Sequence, residues 1–458
     1  MQNFVIMRYF VPIFVLLSIV LIGCNRNNET TQTSSEARVN TFSFYEDTIN
    51  PGLTLATYKI EHSSDTGRIY CVDSLRYGTS LDSVVPYITY KATPGSATYI
   101  LPDTTIESTG LDTMDFNKRP IYLHVVPSNM DLDYDQWYRI DIFVHQADPD
   151  LYVWEKLTNQ IWAPQNCETK AFFHNNQLLV LVNNGLATQL YTSANGETWS
   201  CITDNIPTLP TPCHVRDILL HNDTLYYIDD NSLFISSNGI TWERKQNLSP
   251  YEWVNMLVSF DGKPWCLMQD TSDNLVLATI TSNGAVSIEQ VAGLTNGILP
   301  AHFPISDFAS LPFSSSSERP RAMIVGGRSI NGEAVNTRWN LEYAANDGYR
   351  MKDFSIAQPN FSSLTGISII QYNDQLYMFG GTDNDLTMRT DMLYSYDEGM
   401  NWYIPDSVHN QLPKDYCTRQ NQTVVMDNND NIYIIGGQSQ TETLSDVYRG
   451  YLNSVRWE

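Results

Sequence analysis

The sequence predicts an all-β protein, an N-terminal Ig-like β-sandwich followed by a six-bladed β-propeller. Three observations predict it. A short phrase recurs at Ser193-Ala194-Asn195-Gly196-Glu197-Thr198-Trp199, Ser237-Asn238-Gly239-Ile240-Thr241-Trp242 and Ser395-Tyr396-Asp397-Glu398-Gly399-Met400-Asn401-Trp402. A second phrase, an apolar run closing on two glycines, recurs at Gly326-Gly327, Gly380-Gly381 and Gly436-Gly437. Between such marks the chain reads as strand-sized apolar runs separated by Asn, Asp and Gly. Copies spaced by roughly 43 to 56 residues are the size of one four-stranded propeller blade.

The elements follow in order. Residues 1–24 read as a lipoprotein signal peptide, because Tyr9 to Ile22 is almost continuously apolar yet short for a membrane span. Leu21-Ile22-Gly23-Cys24 resembles a bacterial lipobox, so Cys24 is the expected lipidation site and a membrane the expected partner. A transmembrane anchor is the competing reading. The only basic residue ahead of the apolar run is Arg8, directly after Met7, so translation starts at Met1 or at Met7. Residues 25–40, rich in Asn, Thr and Ser, read as a flexible tether.

Residues 41–148 show β-rich runs at Thr54–Glu61, Arg68–Val72, Ser83–Tyr90, Ser96–Leu101, Pro120–Val126 and Trp137–Gln146. Their spacing and turn punctuation predict an antiparallel sandwich of immunoglobulin type.

Residues 149–458 carry the repeated unit. Its hairpins are centred on Asn175-Asn176, Asn222-Asp223, Asp261-Gly262, Asn373-Asp374 and the longer Asp427–Asn431, with a sixth, lengthened copy around Phe303–Val325. Asn, Asp and Gly accept the positive φ, or bond their own backbone, as tight hairpins demand. Closure is expected through the strand at 151–157, which would complete the sixth blade and hide its edge. Of the seven cysteines, the six beyond Cys24 show no metal or disulfide-framework spacing, and Cys71, alone ahead of Cys167, reads as a free, buried thiol.

Ser395 to Trp402 resembles the Asp-box of sialidases and related propellers, and the two earlier phrases are shorter variants. The C-terminal units resemble kelch repeats, with Gly-Gly followed by a spaced Tyr and Trp: Gly380-Gly381, Tyr394, Trp402, then Gly436-Gly437, Tyr448, Trp457. The full order of lipobox, sandwich and kelch-like propeller resembles a family of uncharacterised Bacteroidetes lipoproteins. That likeness implies a fold and no activity. In Asp-box and kelch families these residues are structural, which makes Trp199, Trp242, Trp402, Trp457, Asp397 and the glycine pairs blade packing rather than ligand contacts.

Composition narrows the function. With Lys+Arg 27 against Asp+Glu 51, the net charge of −24 argues against nucleic acid, whose phosphates need a cationic surface. The three-arginine cluster and Arg-Ile-Pro phrase of Asp-box sialidases are missing, and the eight histidines are too scattered for the copper site of a galactose-oxidase-like enzyme. No nucleophile elbow, zinc-protease helix or P-loop occurs, and no cofactor is expected. The candidate site is the propeller funnel. Ahead of the inner strands of blades one, two and six stand Cys167-Glu168-Thr169-Lys170, Cys213-His214-Val215-Arg216-Asp217 and Tyr416-Cys417-Thr418-Arg419. Lys170, Arg216 and Arg419 would form a cationic island near Trp253, unless Glu168 and Asp217 neutralise it as inter-blade ion pairs. The expected function is a non-enzymatic envelope recognition module that binds a glycan or a partner protein. A glycan-processing enzyme with its active site in the funnel is the alternative. The outer membrane is the expected location, and the stretch 25–29 lacks the acidic cluster that surface-export signals carry, leaving the displaying leaflet open.

Overall fold

The computed structural model describes residues 33–163, 166–246, 249–281, 283–314, 319–357, 361–405 and 412–453. The expected signal peptide, Cys24, the start of the tether and Trp457 lie outside the described residues. The chain divides into two compact units at His145/Gln146.

In the first unit a two-stranded pair, Val39–Phe44 with Pro86–Tyr90, accompanies a six-stranded sheet. The sheet runs Tyr58–Glu61, Gly67–Cys71, Gln136–Asp141, Ile121–Pro127, Pro94–Ile100, Thr105–Glu107. One core joins both layers: Phe42, Phe44 and Phe116 meet edge-on, and the Tyr138 hydroxyl accepts the Val39 N–H at 3.2 Å. Three features differ from expectation. The first strand begins inside the stretch read as tether, because Ala37 and Val39 have apolar side chains that the core buries. Residues Gly52–Leu55 form a helical turn behind Pro51, which suits a first turn, and Leu53 is the buried anchor. Gly67–Cys71 pairs parallel with Gln136–Asp141, so the sheet is mixed rather than antiparallel throughout.

In the second unit six sheets succeed one another among the described residues. Their inner strands are Glu168–His174, Leu219–His221, Glu252–Phe260, Ala309–Ser314, Ser368–Tyr372 and Thr423–Met426. The arrangement is a propeller: each inner strand, or the turn leading into it, lies beside the next, and the last returns to the first. The ring is bonded at several seams. His221 Nδ1 meets Ser259 Oγ at 2.8 Å, the Gln371 side chain exchanges two bonds with the Ser314 backbone, and Ser368 Oγ donates to Gln422 O at 2.6 Å. At the return, Thr423 Oγ1 accepts the Ala171 N–H and donates to Thr169 O.

Turn chemistry makes the hairpins. Asn175, Asn176, Asn222, Asp223, Asp261, Gly262, Asn373 and Asp374 all have positive φ, the conformation of tight primed turns. The Trp phrases are turns of a second kind. Asn195 Oδ1 accepts the N–H groups of Glu197 and Thr198, Asn238 repeats this for Ile240 and Thr241, and Asp397 holds Asn401. The indoles of Trp199 and Trp242 then donate to the carbonyls of Gly196 and Gly239. Trp242 and Trp402 are buried between sheets, and Trp199 is half-buried.

The paired glycines set the spacing between sheets. Gly326, Gly380 and Gly436 have φ near +60°, and a Cβ on the first two would sit 2.3 Å from Leu364 O and 2.4 Å from Arg419 O of the following unit. Gly327 and Gly381 donate their N–H groups to those same carbonyls. The sixth sheet takes its outer strand, Tyr152–Thr158, from the start of the unit, antiparallel to Thr443–Leu452. Gly450 faces Trp154 there so closely that a Cβ would fall 2.3 Å from the indole.

Candidate functional site

A cavity of about 550 Å³ opens where the inner strands converge. All six sheets, or the turns ahead of their inner strands, contribute to its wall. Four of its lining residues are ionisable: Lys170, Arg216, Asp217 and Asp307. Lys170 comes from the first inner strand; Arg216 and Asp217 come from the short helical turn Val215–Asp217 that precedes the second.

The charges are not equivalent. Arg216 Nη1 bonds Asp307 Oδ1 at 2.9 Å, and Arg328 Nε holds the other oxygen at 3.1 Å. Asp307 therefore neutralises Arg216 in place of the expected Asp217, while Glu168 reaches His214 at 3.2 Å. Lys170 has no hydrogen bond or ion pair among the described residues, and the Phe172 ring, 5.9 Å from its Nζ, is its ring neighbour. Burial, reinforced by the Arg216 charge and opposed by Asp217, lowers the Lys170 ammonium to about 8. Burial also raises the Asp217 carboxyl, against the pull of Asn255, Arg216 and His214. Beside Lys170, Thr169 Oγ1 and Gln422 Oε1 are buried in the lining without a hydrogen bond among the described residues.

Of the expected island, Lys170 and Arg216 line the cavity together, and Arg419 and Trp253 do not. Arg419 is fully buried in the sixth sheet. Its Nη1 and Nη2 bond both oxygens of Asp446 at 2.6 and 3.2 Å, Nε bonds Cys417 O, Nη1 also bonds Gly436 O, and Tyr416 and Tyr448 flank the guanidinium. Trp253 packs with Tyr226, Met256 and Met268 between the second and third sheets. Standing just ahead of an inner strand does not dictate which way a side chain turns, and these two turn into the sheets. Asp307, Thr169 and Gln422 had no signal in the sequence, since their roles come from contacts between distant units. Cys167 and Cys213 are buried and Cys417 exposed, Cys71 is half-buried, and no disulfide joins the described cysteines. Among the described residues no group of His, Cys, Asp and Glu is placed to hold a metal ion, and no helix is long and apolar enough to cross a membrane.

No curated protein matches the chain. A solved structure described as "Structure of YjhT" is similar with a TM-score of 0.46 and 12% identity, over 64% of this chain and 96% of that one. The model of a domain of unknown function, the DUF6242 N-terminal domain, matches residues 25–142. The model of the DUF6242 beta propeller domain matches residues 148–458, well over half of the sequence, and the chain belongs to the DUF6242 family.

Proposed function

We propose that this protein is a lipid-anchored recognition module of the bacterial envelope, whose propeller captures a glycan or a partner protein at the axial cavity. In this reading Cys24 carries the lipid, the 25–40 stretch supplies the tether, the first unit is an Ig-like spacer, and the six sheets are the full set of kelch and Asp-box blades. The observation that carries it is the unpaired Lys170 ammonium in the wall of a cavity sized for a small ligand or a chain end. Of the two cations in that wall Arg216 is held by Asp307, while Lys170 makes no ion pair among the described residues, which leaves it able to meet an outside partner.

A glycan array and hydrolase assays on the purified mature chain test the reading. Retention without turnover, lost in Lys170→Ala or Arg216→Ala, supports it; retention unchanged in both variants removes the cavity from the function. The second reading, a glycan-processing enzyme, is favoured by one observation. A lysine lowered and an aspartate raised from their ordinary values share one cavity, as acid and base groups do in catalytic sites. Turnover without retention would establish it instead.

A further inference from the structure

We propose that the axial cavity captures the free C-terminal carboxylate of an extended peptide, with Lys170 Nζ as the anchor for the charge. The proposal rests on the recognition reading and selects its partner-protein arm.

Charge fixes the headgroup. Arg216 is already paired with Asp307, and Lys170 makes no ion pair among the described residues; the remaining carboxyl of the lining, Asp217, is one whose charged form burial disfavours. One unpaired ammonium balances one carboxylate; a phosphate dianion would need a second. The overall charge of −24 repels polyanions and tolerates a ligand carrying a single negative charge.

Polar geometry fixes what surrounds the headgroup. Thr169 precedes Lys170 in the strand, and Thr423, the neighbour of Gln422, bonds to Thr169 O, so Thr169, Lys170 and Gln422 occupy one corner of the cavity. The Gln422 amide nitrogen is spent on Phe379 O at 2.6 Å, and its oxygen, buried beside Gly380, has no hydrogen bond among the described residues, an acceptor that a peptide N–H would satisfy. The Thr169 hydroxyl, buried and without a hydrogen bond among the described residues, is a donor that a carboxylate oxygen would satisfy. A chain end offers those complements together: a carboxylate and, one bond series away, an amide N–H.

The rest of the wall fixes the body. Half-buried Phe173, Leu220, Leu311 and Met426 line the cavity and present apolar surface. That surface suits an apolar terminal side chain, whereas a sugar would set hydroxyls against it without partners. An extended chain also enters an axial opening end-on, with its remaining length outside.

The test uses the mature protein and acetylated tripeptides, Ac-Gly-Gly-Leu, Ac-Gly-Gly-Phe and Ac-Gly-Gly-Met, each as free acid and as amide, by calorimetric titration. The free acids are expected to bind at least about tenfold tighter than the amides at pH 7 (about 1.4 kcal/mol). The preference should vanish in Lys170→Met and fade as pH passes 8, where Lys170 discharges beside the Arg216 charge and the Asp217 carboxyl, with the Arg216–Asp307 pair completing the charges of the lining. Lys170→Arg, which keeps the charge, should retain part of the preference and shed the pH dependence. Equal binding of acid and amide, or no binding of any free acid, overturns the proposal. Glycan retention that depends on Lys170, with no peptide bound, would overturn it while leaving the recognition reading standing. Absence of both would end the two together.

Discussion

Lys170 and Arg419 show how two cations read alike in sequence come to opposite uses. Arg419 is a solved electrostatic problem: both carboxylate oxygens of Asp446 and two backbone carbonyls occupy its fork. Arg419→Ala leaves the buried Asp446 carboxylate to Lys156 at 3.5 Å and should cost about 3–5 kcal/mol in denaturant unfolding, whereas Arg419→Lys, unable to span both oxygens, should recover only part. A loss below about 1 kcal/mol would mean the pair is solvated. Lys170 has the reverse balance. Its folded value of about 8 lies below the ordinary 10.5, so the folded state binds fewer protons between those values and stability rises with pH across that window. The cost of holding the charge is complete below pH 8. Lys170→Met should therefore raise the unfolding temperature at pH 7, and calorimetry should find the gain gone by about pH 10.5. An equal gain at both pH values would contradict the assignment. Stability forgone at a cavity residue is the usual mark of a functional one.

At the scale of elements, the glycine pairs do more than turn the chain. Gly380 combines a left-handed φ of +60° with the carbonyl of Arg419 where a side chain would go. Gly332 has φ +77° and open space around it. Gly332→Ala should cost about 1 kcal/mol, the left-handed penalty alone. Gly380→Ala should exceed it by at least about 1–2 kcal/mol through the forced separation of two sheets. Urea titrations of the two variants read the difference, and equal losses would reduce the glycine to its φ.

These same elements show what sequence could and could not reveal. The hairpins were legible because Asn-Asn, Asn-Asp and Asp-Gly encode positive φ locally, and each turn has it. The Trp phrases were legible for the same reason: Asn195, Asn238 and Asp397 bond N–H groups a few residues away. The helical turn at Gly52–Leu55 was not, since its apolar residues fit a strand equally well and burial of Leu53 decides the matter. The cavity was half legible. Position along the chain brought Lys170 and Arg216 to the same opening, but the partner of Arg216 is 91 residues away at Asp307, and no local pattern announces a contact of that range. Thr169 and Gln422 draw their meaning from bonds they lack, which sequence does not record.

For the whole molecule, the outer strand Tyr152–Thr158 decides whether the propeller is one object. It covers the edge that Thr443–Leu452 would otherwise expose, through a ladder that Arg449 and Glu155 brace at 2.9 Å. A chain beginning at residue 146 should unfold cooperatively as the full propeller does; one beginning at residue 160 should lose that transition or aggregate. Chemical denaturation followed by tryptophan fluorescence distinguishes them, and an unchanged midpoint after removal of the strand would show that the sixth sheet is stable with three.

The same pairing governs the order of assembly. Tyr152–Thr158 is made first and its partner nearly last, some 290 residues later, so this contact carries the largest loop-closure entropy in the propeller. During synthesis the strand must wait as an unpaired edge until the final residues emerge. The clasp is then the slowest step of folding, and a nascent chain stalled short of residue 443 holds every sheet but the one that locks the others in place.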